Sequence, residues 1–342
     1  MDLVTARAAK VEAAGFVREL LAGKVEARGL EADDAAAGVR SSLGVSLGLS
    51  PQSDGGYGLA VRYRLGVPTA RMVARRVAEH AGPAVDVRRT GRIRAVPPSL
   101  PRGVGPRPPV VTAQALGETG RVRPLRPGVS IAHVDVSAGT LGAFVQVEGV
   151  LHALSNFHVL AGSARAQAGD AILQPGPADG GVDPRDKVGE LARVVELEPG
   201  EAAYVDAATA LLDASEVDPT YPVGRVTELA QVEGAEEVEK IGRTTGVTRG
   251  RVTAIELDDV VVGYGPGVGE IGFDDQIEVE GLGAGPFSRG GDSGSLVYRT
   301  ADGAAVGLLF AGSESGGENG TGLTYLNPIA TVLEKVGATL LR

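Results

Sequence analysis

Three residue types in this 342-residue chain can combine into nucleophilic hydrolysis: a serine, a histidine and an aspartate. The serine is Ser293, in Gly290-Gly291-Asp292-Ser293-Gly294-Ser295, followed by the apolar run Leu296-Val297-Tyr298. Glycines on both sides let the backbone turn tightly, present the hydroxyl and aim main-chain N–H groups inward. Hydrolysing an amide at neutral pH needs such a nucleophile, a base for its proton, a group that holds the base, and donors for the oxyanion. The N–H groups of Gly291 and Ser293 are the candidate oxyanion donors. Read alone, the glycine-rich segment is just as well an ordinary turn; two distant residues give it weight.

Histidine is scarce, at positions 80, 133, 152 and 158. His158, in Leu154-Ser-Asn-Phe-His158-Val-Leu, follows an apolar strand and precedes a loop, where a base at a cleft would stand. His152 lies six residues earlier, on the same side of a regular strand but farther from its end. His133 and His80 are expected to be structural or exposed. The acid must reach the far ring nitrogen of the base and stay ionised. Asp206 is a charge inside the apolar run Ala202-Ala-Tyr-Val-Asp206-Ala-Ala-Thr-Ala-Leu-Leu, and a buried carboxylate requires a partner. Asp170, Asp183, Asp186, Asp213 and Asp218 sit in polar or turn-rich settings and are expected to be solvated. The order His158, Asp206, Ser293 differs from the Asp, His, Ser order of subtilisins and the Ser, acid, His order of α/β-hydrolases. The elbow G-x-S-x-G also fails, because residue 295 is Ser.

The elements that must position these residues are short. From Val129 onward, strands are divided by Gly, Pro and Asp turns: 142–147, 150–155, 207–212, 252–256, 276–279, 295–298 and 305–310. Such spacing predicts a sandwich or barrel, and 328–336 reads as a closing helix. Before it, 5–27 is helical, 41–49 and 57–64 alternate as a hairpin around a turn cluster, 68–80 is a helix with Pro at its start, and 84–94 is a third strand. This makes a small α+β unit over 1–95. Residues 96–125 are a Pro- and Arg-rich linker, read either as solvated or as a strap across the domain that follows, 126–342.

Charge divides the chain. Residues 1–126 hold 20 Lys and Arg against 11 acids, a net of +9, whereas 127–342 hold 13 against 32, a net of −19. The acidic part disfavours nucleic acid and suits basic polypeptide, the nearest being the chain's own N-terminal third. Hence intramolecular docking is expected, with the first domain restraining or targeting the second, or binding a regulatory protein. With no cysteine there is neither disulfide nor thiolate metal site. The N-terminal residues carry charges throughout, unlike a signal peptide, and no run is apolar enough to span a membrane. A cytoplasmic protein with no membrane association is expected. Gly263-Tyr-Gly-Pro-Gly-Val-Gly269 lacks the strand-to-helix switch of a nucleotide fingerprint and reads as a hairpin loop. No P-loop occurs, and no His pair has zinc spacing, so neither cofactor nor metal is expected.

Residues 126–340 resemble the bacterial trypsin-like serine proteases of the chymotrypsin fold. The resemblance rests on Ser155-Asn-Phe-His158-Val-Leu, Val205-Asp206-Ala-Ala, Gly242-Arg-Thr-Thr-Gly-Val-Thr-Arg-Gly250 and Gly291-Asp-Ser293-Gly-Ser. It implies a mainly β protein with two six-stranded antiparallel β-barrels, His158 and Asp206 on the first and Ser293 on the second. It implies an endopeptidase acting on polypeptide through an acyl-enzyme. The first 95 residues resemble the small extension of some cytoplasmic bacterial members. Two departures stand out. The family's activating N-terminus, which pairs with the Asp before the nucleophile, has no evident source here, so Asp292 needs another partner, such as an internal Arg. The residue six before the nucleophile is Phe287 instead of Asp, which leaves specificity open. Phe287, Phe310 and Gly312 are candidate substrate-binding residues, with Phe310-Ala311-Gly312 as the substrate-pairing strand and Glu314 or Glu318 near the pocket. A silent protease-fold module that only binds peptide is the alternative.

Overall fold

The computed structural model describes residues 1–26, 44–95, 116–213, 216–265 and 267–342. Most of the Pro- and Arg-rich linker, 96–115, and the start of the first expected strand lie outside the described residues. The chain is mainly β. Among the described residues the α-helices are α1 (Leu3–Glu26), α2 (Pro68–Ala81), α3 (Phe157–Leu160) and α4 (Ile329–Val336).

The N-terminal strands are β1 (Val45–Pro51), β2 (Tyr57–Arg64), β3 (Val85–Thr90) and β4 (Ile93–Arg94). β1 and β2 form the expected hairpin, and β3 adds parallel to β2. Val73, Ala74 and Val77 of α2, spaced for one helical face, pack with Leu47, Leu59 and Val61 into a small core. The third expected strand divides. β3 stays in this sheet, but β4 leaves it and pairs elsewhere.

The first barrel uses β5 (Ser130–His133), β6 (Gly139–Thr140), β7 (Ala143–Val147), β8 (Val150–Ser155), β9 (Ala171–Leu173) and β10 (Lys187–Val194). After β11 (Ala202–Ala203) comes β12 (Ala208–Leu212), its last barrel strand. Pairing runs β7, β8, β12, β10, β9, β5, β6. β6 and β7 are two halves of one bent run, so the sheet closes on itself with six strands. A two-strand ribbon, β13 (Thr220–Tyr221) and β14 (Gly224–Arg225), leads out of it.

The second barrel contains β15 (Glu237–Gly242), β16 (Gly246–Asp258), β19 (Gln276–Gly281), β20 (Leu296–Arg299), β21 (Ala305–Ser313) and β22 (Leu323–Pro328). Each pairs with two others in the closed circuit β15, β16, β19, β22, β21, β20. An inserted hairpin, β17 (Val260–Gly263) and β18 (Glu270–Phe273), separates β16 from β19. Its loop is the glycine-rich segment expected to be a hairpin turn. The chain ends with β23 (Thr339–Leu340) back on β7 of the first barrel. The second circuit closes by strand pairing alone, the first through the bend between β6 and β7, and each barrel is filled by Val, Leu and Ile.

β16 is 13 residues long and outruns its barrel partners. Its far end pairs with β1, Leu47 opposite Asp258 and Leu49 opposite Ile255, so the N-terminal sheet is continuous with the second barrel. Basic groups of the first unit meet acids of the second barrel here: Arg7 with Glu256, Lys10 with Asp258, Arg64 with Glu270 and Arg88 with Glu280. Most are exposed enough that each contributes little. Arg62 is different. It is 1% exposed, and its guanidinium lies 2.8 Å from the fully buried Glu278 and 2.9 Å from Asp86. Burial opposes the Arg62 charge, but Glu278 and Asp86 outweigh it and the pKa rises. Within the expected linker, 116–125 lies against the barrels: Leu116 N–H donates to Thr244 O, and Leu125 is fully buried in the first core.

Candidate active site

Asn156 begins the one-turn helix α3 at the end of β8, and this turn carries His158. Both His158 and Asp206 are buried, at 5% and 0% exposure. His158 Nδ1 stands 2.5 Å from Asp206 Oδ2, and the His158 backbone N–H donates to Asp206 Oδ1 at 3.3 Å. Asp206 precedes β12, which pairs with β8 from Ala208 opposite Ser155 onward. The two residues therefore meet because neighbouring strands end together. Asn156 Nδ2 donates to Asp206 O at 2.7 Å, and Asp206 N–H donates to Asn327 Oδ1 at 2.9 Å. Asn327 Nδ2 in turn donates to Gln276 Oε1 at 2.7 Å. Buried amides thus hold the Asp206 backbone on both its carbonyl and its N–H side.

Tyr264, from the inserted hairpin, donates its hydroxyl to Asp206 Oδ2 at 2.7 Å. Its ring meets that of His158 edge-on, 5.9 Å between centroids. Burial first, then the Asp206 charge, raises the phenol pKa well above its ordinary value, so the group stays a donor. His158 Nε2, the ring nitrogen facing away from Asp206, is buried and makes no hydrogen bond.

The Ser293 loop lies across the barrel interface. Thr140 N–H, from the first barrel, donates to Ser293 O at 2.8 Å, and Thr140 Oγ1 donates to Gly291 O at 2.8 Å. Ser155 Oγ, three residues before His158, donates to Thr140 O at 2.7 Å. Two glycines make this approach possible. Gly294 has φ +94°, and a Cβ there would sit 2.0 Å from Ser155 Oγ. A Cβ on Gly142 would lie 1.9 Å from Gly294 O. Arg243 Nε donates to Asp179 Oδ2 at 2.8 Å, a second tie between the barrels.

Asp292 has its partners within the chain. Its Oδ1 accepts the Thr244 and Thr245 N–H groups at 2.8 and 3.0 Å. Its Oδ2 accepts Thr245 Oγ1 at 2.7 Å and Arg289 N–H at 2.9 Å. The cation is Lys240 instead of an Arg, with Nζ 3.5 Å away and both side chains at zero exposure. Burial lowers the Lys240 pKa, opposed by the Asp292 charge. No newly cut N-terminus is needed to hold this loop.

A cavity of about 250 Å³ opens beside the serine, lined by Arg94, Arg289, Ser293, Leu309, Gly312 and Glu314 among others. Gly312 and Glu314 thus face the site. Glu318 lies 3.8 Å from Arg88 and 3.6 Å from Arg251. Phe287 and Phe310 are both buried in the second-barrel cores, Phe310 against Phe273 with 4.7 Å between rings.

The other histidines are occupied elsewhere. His80 stacks on Phe16, His133 pairs with Asp170, and His152 Nδ1 is 3.0 Å from Val150 O. Asp186 departs from the expected solvation. It is 1% exposed and accepts from Arg185 and the Val182 N–H, so its turn-rich sequence folds inward around the carboxylate. Sequence reading missed Tyr264, Lys240, Asn156 and Asn327. Lys240 lacked the signal that singled out Asp206: it stands in Glu236-Glu237-Val238-Glu239-Lys240, a run of charges and not an apolar one. Among the described residues, no group of three or more His, Cys, Asp or Glu is placed to hold a metal. No described helix is long and apolar enough to cross a membrane.

No protein-family model and no curated protein matches the chain. Solved structures do. Thermobifida fusca Protease A is similar over 64% of this chain and 98% of its own, at 18% identity and a TM-score of 0.44. Nocardiopsis protease is similar over 64% and 99%, at 17% identity and 0.45. The active form of the Rv3671c protease from M. tuberculosis is similar over 72% and 92%, at 18% identity and 0.37.

Proposed function

We propose that the chain is a serine endopeptidase that hydrolyses polypeptide through an acyl-enzyme. His158 is the general base, Asp206 its orienting acid and Ser293 the nucleophile. One observation carries this reading: the buried His158–Asp206 pair at 2.5 Å leaves Nε2 of the same ring without a hydrogen bond. Asp206 fixes Nδ1 as the protonated nitrogen, so Nε2 is the basic one and can take a hydroxyl proton. Ser293 Oγ attacks the peptide carbonyl as its proton passes to Nε2, and the imidazolium then gives that proton to the leaving amine. The N–H groups of Gly291 and Ser293 receive the developing oxyanion, a contribution worth roughly 10²–10³ in rate for one such donor. Water repeats the cycle on the acyl-enzyme. Tyr264 holds Asp206 through the same oxygen that faces His158 Nδ1. The loop is preformed, because Lys240, Thr244 and Thr245 already satisfy Asp292.

In this reading 1–95 is a regulatory or partner-binding domain, 96–125 a connector and 126–342 the protease domain. The basic first domain docks in cis on the acidic second, supported by the ion pairs of Arg7, Lys10, Arg62, Arg64 and Arg88. A cytoplasmic location fits the lack of cysteine. Labelling with a small fluorophosphonate tests the chemistry. Ser293 of the full chain should be modified, and Ser293→Ala should lose the label. Label that persists in the alanine variant, or never forms, leaves the silent peptide-binding reading in its place.

A further inference from the structure

β21 has an edge that its barrel neighbour covers only in part. β20 pairs with it only over Ala305–Leu308, although β21 continues to Ser313. Beyond that point the strand passes the nucleophile loop: Gly294 N–H donates to Leu309 O at 2.8 Å, and Leu309, Ala311 and Gly312 line the cavity with Ser293. An open strand edge leading to a nucleophile is where an extended polypeptide adds as a further strand. Here the chain itself occupies that edge. β4 pairs antiparallel, Ile93 opposite Ser313 and Arg94 opposite Gly312. The contact extends backward, with Glu314 N–H on Arg92 O at 3.1 Å and Gly91 N–H on Ser315 O at 2.9 Å. The Arg94 guanidinium adds a 3.0 Å pair with Glu314, and Arg94 lines the same cavity as Ser293. On its other side β4 pairs with β17, the strand that leads to Tyr264, and Ala95 N–H donates to Gly263 O at 3.2 Å.

We propose that β4 is an internal occupant of the polypeptide-docking edge, and that extended substrate engages β21 only when β4 peels away. This deepens the protease reading and rests on it. The observed occupant also defines what competes with it: an extended, basic segment whose main chain pairs with Gly312 and whose cation meets Glu314. Only two residues of β4 form ladder pairs, and its Arg94–Glu314 pair is about half exposed, at 48% and 54%. Contacts of that kind are weak enough to exchange.

The test uses the full chain, which has no cysteine of its own. Ile93→Cys with Ser313→Cys places two residues directly opposite in the ladder, their Cα atoms about 4.5–5.5 Å apart, a separation that a disulfide spans. Two probes are compared: a small fluorophosphonate, and an arginine-containing tetrapeptide phosphonate. The small probe should label Ser293 equally in the oxidised and reduced variant. The peptide probe should react roughly thirtyfold more slowly in the oxidised form, the worth of about two main-chain hydrogen bonds to the edge. Equal peptide reactivity in both redox states, with Ser293 labelled by the small probe, overturns the proposal alone. Failure of the small probe in the parent chain overturns the protease reading, and this proposal with it. If the double variant does not fold, Arg94→Glu replaces it, and faster peptide labelling than in the parent is then the supporting result and an unchanged rate the opposing one.

Discussion

Asp206 and Asp292 are both carboxylates at zero exposure, one beside the histidine and one beside the serine. Asp206, on the first-barrel side, faces a histidine and a tyrosine hydroxyl. Asp292, on the second-barrel side, faces a lysine and a ring of backbone and hydroxyl donors. Burial alone therefore does not mark a carboxylate as chemical. What differs is the partner: an imidazole with a second, unbonded ring nitrogen on the Asp206 side, and an ammonium that burial disfavours on the Asp292 side. The Asp292 side is a saturated pair whose product is the shape of the nucleophile loop. Substitutions that remove charge without changing size should separate the two.

The largest expected effect is Asp206→Asn. The amide keeps the geometry but stabilises the wrong imidazole tautomer, and kcat should fall by ~10⁴. Steady-state peptidase kinetics measure this. A loss below tenfold would mean that Asp206 only supports the fold. Unfolding in urea should change far less than activity does, since Asn can still accept from the His158 N–H.

Removing one member of the other pair should act in the opposite proportion. Lys240→Met or Asp292→Asn leaves a buried charge uncompensated and should cost about 3–5 kcal/mol of stability. Lys240→Met with Asp292→Asn should be less destabilised than either single variant, because no unpaired charge remains. Urea midpoints of the four proteins form the test cycle. Strict additivity would show that the 3.5 Å pair carries no coupling.

The same contrast explains what was legible in the sequence. Asp206 stood out as a charge in an apolar run, and His158 and Ser293 stood out by scarcity and by flanking glycines. The strands were legible because alternation and turn residues are local. Lys240 escaped the rule that found Asp206, because Glu236, Glu237 and Glu239 beside it read as a solvated charge run. Tyr264 was hidden in a segment that reads only as a turn, since Gly263-Tyr-Gly-Pro-Gly reports flexibility and not destination. β4 was hidden because 84–94 reads as one strand, and its division depends on an edge of β21 more than 200 residues away. Such pairings of distant segments are set by tertiary geometry, to which a local pattern is blind.

The smallest effect expected is at Tyr264, and it refines the Asp206 side from within. Tyr264→Phe keeps the ring against His158 but removes the 2.7 Å donor. A hydrogen bond to a charged group contributes about 1.5–3 kcal/mol, so kcat should fall roughly tenfold to hundredfold if the bond is fully felt in the transition state. KM for a short ester should stay constant, since the phenol touches Asp206 and does not line the cavity beside Ser293. A loss of stability with an unmoved kcat would assign Tyr264 to packing, and would leave the amide chain of Asn156, Asn327 and Gln276 as what holds Asp206.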